Sequence, residues 1–220
     1  MSCRQFVIDY IEGRVTTQAF LDQLHSDMRL RQWLQSIVPQ GKVGYYEVSV
    51  DADGVAKQET GPYDVARTIA GYWKVPWDKL GNELNTHFEI TQLFQEAFPQ
   101  EQIRPDKSIE EKFNFMIDAC PAYIGGEEVI GSGILEEIYE DTPVNLNKAH
   151  RVKYFKEKVK NLFYIENNHY PHWLQEAEWP MSNGKPMKYL SSKKLYNGEG
   201  REYTFENPDT HDVRTVIQIS

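Results

Sequence analysis

Only two cysteines, Cys3 and Cys120, occur in the 220 residues, and they share no spacing typical of a metal-ligand set or a disulfide framework. Free thiols in a reducing compartment are the expectation. Long apolar runs are also missing. The first, Phe6-Val7-Ile8, is interrupted at Asp9 and Glu12, leaving neither a signal-peptide core nor the roughly 20 apolar residues that cross a bilayer. These absences lead us to expect a cytoplasmic chain with no membrane partner. Basic charge is scarce too. Lys and Arg number 24 against 33 Asp and Glu, giving a net charge of −9, which opposes attraction to nucleic-acid phosphates and favours a basic protein partner. Solubility alone also accounts for an acidic balance.

The usual marks of catalysis are absent or incomplete. Gly125-Gly126 and Gly131-Ser132-Gly133 lack the Lys-Ser/Thr ending of a phosphate loop and the strand context of a dinucleotide fingerprint. No G-x-S-x-G elbow presents a serine. Cys120 stands at the end of an apolar helical stripe before Pro121, where an inert buried thiol is the ordinary outcome, and His87 sits on a helix beside Phe88. His169-Tyr170-Pro171-His172, with Glu176 and Glu178 nearby, is the nearest approach to a metal site. Pro171 blocks the helical geometry that puts two histidines on one face, and no third ligand is fixed. We expect no cofactor, no metal and no catalytic residue.

Helices dominate the N-terminal part. Phe6, Val7, Tyr10 and Ile11 recur at helical spacing before Gly13. Thr16 or Thr17 caps a segment with Phe20, Leu21 and Leu24, and Ser26 or Asp27 caps another running from Leu30 to Val38. Residues 45 to 58 alternate around the turn signal Asp51-Ala-Asp53-Gly54 and read as a small hairpin or an extended excursion. Helical spacing returns at Val65, Ile69 and Trp73, then at Leu84, Phe88, Thr91, Phe94 and Phe98. Ser108-Ile-Glu-Glu111 has the form of a capping box before Phe113, Ile117 and Cys120.

Two charge blocks follow. Between Glu127 and Asp141 the acids Glu127, Glu128, Glu136, Glu137, Glu140 and Asp141 stand without any Lys or Arg, while Lys148 to Lys160 is predominantly basic. The blocks either face each other or simply solvate two surface helices, or else they form a recognition surface, because acids of one sign focus a field toward a basic partner. Ile130, Ile134, Leu135 and Ile138 at helical spacing anchor one face of the acidic block and leave Glu136, Glu137 and Glu140 outward. These six acids are the predicted partner-binding residues. In the basic block, Val152, Phe155, Val159 and Leu162 keep a helical stripe that turns the lysines to solvent.

Beyond residue 180 the period shortens to two. Segments from Met187, Glu202 and Val213, separated by turns at Asn197-Gly198-Glu199-Gly200 and Asn207-Pro208-Asp209, predict a three-stranded antiparallel meander. The expected architecture is α+β in one domain, a helical body over about 1–165 followed by an aromatic junction and meander over about 166–220. In that junction, HWLQEAEWPMSNGKPMKYL, Trp173 and Trp179 are expected to be buried where helices meet the sheet.

The stretches FVIDYIEGRVTTQAF, PAYIGGEE, KVKNLFYIEN and YPHWLQEAEWPMSNGKPMKYL, in this order ahead of a strand-rich end, resemble small bacterial proteins predicted to be immunity proteins of polymorphic or contact-dependent toxin systems. The resemblance implies a non-enzymatic protein that neutralises a cognate toxin domain by binding it, and it transfers no individual residue. Two other classes stay open, a metal-dependent or cysteine hydrolase and a regulatory adaptor.

Overall fold

The computed structural model describes residues 1–50, 56–195 and 198–219. The expected turn at Asp51 to Gly54, together with Tyr196 and Asn197, lies outside the described residues. The architecture is α+β and ends in a three-stranded antiparallel sheet, as the change of period predicts. The chain divides into two compact units, Met1–Glu110 and Glu111–Ser220.

In the first unit, α1 (Cys3–Ile11), α2 (Thr17–Ser26) and α3 (Met28–Ser36) are short, and each starts at a capping side chain. Ser2, Thr16 and Asp27 each accept a main-chain N–H of the first turn, which satisfies donors that the helix itself cannot. The hairpin β1 (Val43–Val50) and β2 (Ala56–Pro62) follows, then α4 (Val65–Tyr72) and α5 (Lys79–Ala97). Val7, Ile11, Phe20, Leu30, Leu34, Ile90, Leu93 and Phe94 form the centre of the core.

The buried face of α5 is not the expected stripe. Phe88 is 65% exposed, whereas Asn82, Thr86 and His87 are buried. Polar residues face inward here because each finds a partner. Asn82 Nδ2 donates to Val75 O at 2.7 Å, and Thr86 Oγ1 donates to Asn82 O at 2.7 Å while accepting from Trp73 Nε1 at 3.1 Å. His87 Nε2 lies 2.9 Å from Ile11 O. A buried polar group with its hydrogen bonds made costs little, so an apolar-only pattern places this helix face about one position out.

In the second unit, α6 (Ser108–Ala119), whose first turn belongs to the preceding unit, precedes α7 (Glu127–Ser132), α8 (Ile134–Glu140) and α9 (Lys148–Leu162). Helix α6 starts where expected, but not through a capping box. Ser108 is already helical, and Asp106 supplies the carboxylate, accepting Ser108 N at 3.0 Å and Ser108 Oγ at 2.6 Å. Its buried side carries Phe115 and Ala119, while Ile117 is 63% exposed, so the expected stripe is again displaced.

The hairpin β3 (Met181–Ser182) and β4 (Lys185–Pro186) lies inside the aromatic stretch. Asn183 and Gly184 turn it with φ of 49° and 76°, the left-handed pair that a two-residue hairpin needs. The sheet runs β5 (Lys188–Lys194), β6 (Gly200–Glu206), β7 (Val213–Ile219) in that order. Tyr189, Tyr203 and Phe205 point from it into a core shared with Phe115, Val129, Phe155, Val159, Phe163 and Trp179.

Candidate functional site

Helices α7 and α8 carry the six predicted acids, and they are two helices rather than one. Gly133 adopts φ 73° at the break and serves as the C-cap of the first and the N-cap of the second. A left-handed residue stops the α7 ladder, so the two helices present their acids separately. Val129, Ile134, Leu135 and Ile138 are buried beneath them.

The six acids fall into four groups. Glu128 is held: Arg214 NH1 donates to its Oε2 at 2.9 Å, a second nitrogen of the same guanidinium donates to Oε1, and Met181 N donates to Oε2 at 2.8 Å. The bidentate guanidinium, followed by the main-chain N–H, lowers the Glu128 carboxyl below its ordinary value. Glu140 pairs with Lys112 at 2.7 Å, and Asp141 with Lys158 at 2.9 Å and Tyr154 Oη at 3.1 Å. Those two contacts depress the Asp141 carboxyl. Glu127 and Glu137 are exposed and have no side-chain partner among the described residues.

Glu136 departs from the expectation. It is half-buried, and its Oε2 is shielded from solvent without a hydrogen-bond partner. The outward acidic face therefore rests on Glu127, Glu137, Glu140 and Asp141. In α9, Lys148, Lys153, Lys156 and Lys158 are exposed as expected. Arg151 is not, and stacks its guanidinium 5.0 Å from the Phe115 ring centroid and 5.5 Å from that of Tyr139. An arginine shields an aromatic face well because its planar cation is weakly hydrated, a choice that charge counting does not reveal.

The aromatic stretch packs rather than opening a cleft. Trp179 is 1% exposed, with Phe163 and Phe205 edge-on at 5.1 Å and 5.4 Å, and its Nε1 donates to Met187 O at 2.8 Å. Trp173 is only half-buried, contrary to expectation. Its Nε1 donates to Tyr123 O at 3.0 Å, and its ring lies 4.6 Å from that of Tyr203. The preceding residue is tied to the sheet, the His172 carbonyl accepting Tyr203 Oη at 2.7 Å.

The chemistry-bearing residues sit in fixed surroundings. Burial pushes the Cys120 thiol up to about 12, so it is a poor nucleophile; both cysteines are free. His169 Nε2 lies 3.0 Å from Leu190 O with its ring against Tyr189, and His172 is exposed beside Tyr170. Among the described residues no group of three or more His, Cys, Asp or Glu is placed to hold a metal ion, and no helix is long and apolar enough to cross a membrane.

A groove of about 500 Å³ lies beside the β1–β2 hairpin, walled by Tyr46, Tyr63, Tyr72, Arg67 and Glu89. The groove satisfies its own charges. Tyr63 and Tyr72 both donate to Glu89, the Arg67 guanidinium sits 3.9 Å over the Tyr46 ring, and Lys42 Nζ lies 4.8 Å from the Tyr63 centroid and 3.8 Å from Glu89. The carboxylate beside both phenols raises their pKa in addition to the effect of burial. Sequence reading missed this cluster, since its members come from positions 42 to 89 on four separate segments. No protein-family model, curated protein or solved structure matches the chain.

Proposed function

We propose that this chain is a binding protein of the immunity type, which neutralises a basic toxin domain by covering it with the acidic face of α7 and α8. The observation that carries the reading is the block from Glu127 to Asp141, six acids without a basic residue, in which Glu127 and Glu137 are exposed and unpaired. Such charges raise the rate of encounter with a cationic surface and penalise like-charged competitors. The pairs Glu140–Lys112 and Asp141–Lys158 are surface ion pairs, of a kind that contributes little to stability. Exchanging such a partner for a cation of a bound protein costs little.

The residues that would support a hydrolase favour binding instead. The Cys120 thiol is held protonated by burial, and among the described residues no hydroxyl or thiol is hydrogen-bonded to a histidine. The test begins by co-purifying the partner from native cells and then measures association by stopped flow. Glu127→Lys with Glu137→Lys should reduce the on-rate about tenfold at low salt and much less at high salt, where screening lengths fall from about 10 Å toward 3 Å. The thermal midpoint should stay unchanged. An on-rate indifferent to both substitutions would assign these acids to solvation.

A further inference from the structure

The first unit holds a second cleft, of about 600 Å³, between α2, α3 and α4. Leu21, Leu24, Ile69 and Trp73 give it apolar walls, and Asp22 and Arg31 are set into the same lining. Unlike the tyrosine groove, this cleft leaves its charges unspent. Neither Asp22 nor Arg31 belongs to an ion pair among the described residues, although both face one cavity. Gln18 Nε2 donates to Asp22 Oδ1 at 2.9 Å, so the other carboxylate oxygen has no side-chain donor. Arg31 NH2 donates to His25 O at 3.2 Å, while Arg31 Nε is shielded from water and unpartnered. A guanidinium has five donors, and those of Arg31 NH1, which has no hydrogen-bond partner among the described residues and is not shielded from solvent, are left for an anionic ligand in the cleft.

Unlike charges placed apart on an apolar wall do not suit a plain acid, which Asp22 would repel, or a plain amine, which Arg31 would repel. We propose that this cleft binds a zwitterion with an apolar body, of the class of a large hydrophobic amino acid. The carboxylate meets Arg31, the ammonium meets Asp22, and the side chain lies against Leu21, Leu24, Ile69 and Trp73. A small-molecule pocket ordinarily has mostly apolar walls and a few polar groups that fix orientation, and its volume falls within about 300–1,000 Å³. The fork of Arg31 reads a planar carboxylate, which a lysine at the same position would do less well.

The test titrates the full chain calorimetrically with L-phenylalanine, N-acetyl-L-phenylalanine and L-phenylalaninamide. The free amino acid should bind at least about tenfold more tightly than either derivative, each of which lacks one charge. Arg31→Gln should weaken L-phenylalanine by a similar factor and leave the amide unaffected. Asp22→Asn should do the same with respect to the acetylated form. The ligand series on the unaltered protein stands even if a variant loses stability, which the thermal midpoint reports. Equal binding of all three compounds, no binding at millimolar concentration, or variants that weaken both derivatives alike would overturn the assignment.

Discussion

Two aromatic-rich extended segments of this chain dispose of their rings in opposite ways. In the second unit, the stretch through Trp173 and Trp179 runs over the inner face of a three-stranded sheet, and Trp179, Tyr189, Tyr203 and Phe205 end inside one core. In the first unit, the β1–β2 hairpin has only two strands, and its rings surround a groove. Tyr45 is 73% exposed, while Tyr46 and Tyr63 are buried with their hydroxyls engaged. The difference follows from how many neighbours a strand has. A third strand and the helices of its unit give the meander a closed inner face, whereas a two-stranded ribbon is marginal by itself and leans on α4. Tyrosine suits the ribbon because its hydroxyl joins the hydrogen-bond network, and where tyrosine enters the closed core, as Tyr203 does, its hydroxyl is engaged by the His172 carbonyl.

The largest effect should come from the closed core. Trp179→Ala removes a ring held by Phe163, Phe205 and the Met187 carbonyl, and chemical denaturation should register a loss of about 3–5 kcal/mol. Half-buried Trp173 should cost visibly less, and equal losses would dissolve the distinction between the two indoles. Next comes the hairpin's polar anchor. Tyr46 Oη donates to Pro62 O at 2.9 Å and accepts from Asp64 N at 2.6 Å, so Tyr46→Phe should lose about 1–2 kcal/mol by leaving main-chain groups without that partner. If the phenylalanine variant were as stable as the parent, the ring and not the hydroxyl would anchor the ribbon.

Smaller again is Gly184→Ala. Open space surrounds the position, but its φ of 76° strains an L side chain, and about 1 kcal/mol should be lost in a thermal or denaturant melt. Smallest of all is Tyr45→Ala, which should stay within about 0.5 kcal/mol because the ring is mostly in water. A larger loss there would mean that the ribbon is covered in solution.

How far the sequence discloses this molecule depends on whether a residue acts locally. Caps at Thr16 and Asp27 and the three strands of the meander follow from neighbours within a few positions, and they stand where the local pattern puts them. Helix faces are harder. Phe88 faces solvent while polar Thr86 and His87 hold inward positions, His87 against the Ile11 carbonyl 76 positions away, which no local window contains; on another helix Ile117 is exposed as well. The acidic residues were visible, but their state was not. Glu128 is held by an arginine 86 positions away, and Glu136 turns partly inward. The Asp22 and Arg31 cleft left no mark at all, since its apolar lining is written in ordinary helix-face residues.

The bonds that fix the aromatic stretch also set the order in which the second unit can be completed. Trp179 N donates to Gly125 O at 2.9 Å, Trp173 Nε1 to Tyr123 O, and the Gln218 side chain accepts from Leu174 N and Gln175 N while donating to Glu176 O. Gly126 lets the two backbones meet, with Glu178 Cα at 3.0 Å from where a Cβ would stand. Each of these links joins parts of the chain more than forty positions apart, and such closures carry an entropic cost that slows folding. During synthesis, the helices from α6 to α9 can form as they emerge, but residues 174 to 176 lack these bonds until Gln218 has been made. The penultimate described residue of the last strand is thus the latch for a segment read some forty residues earlier.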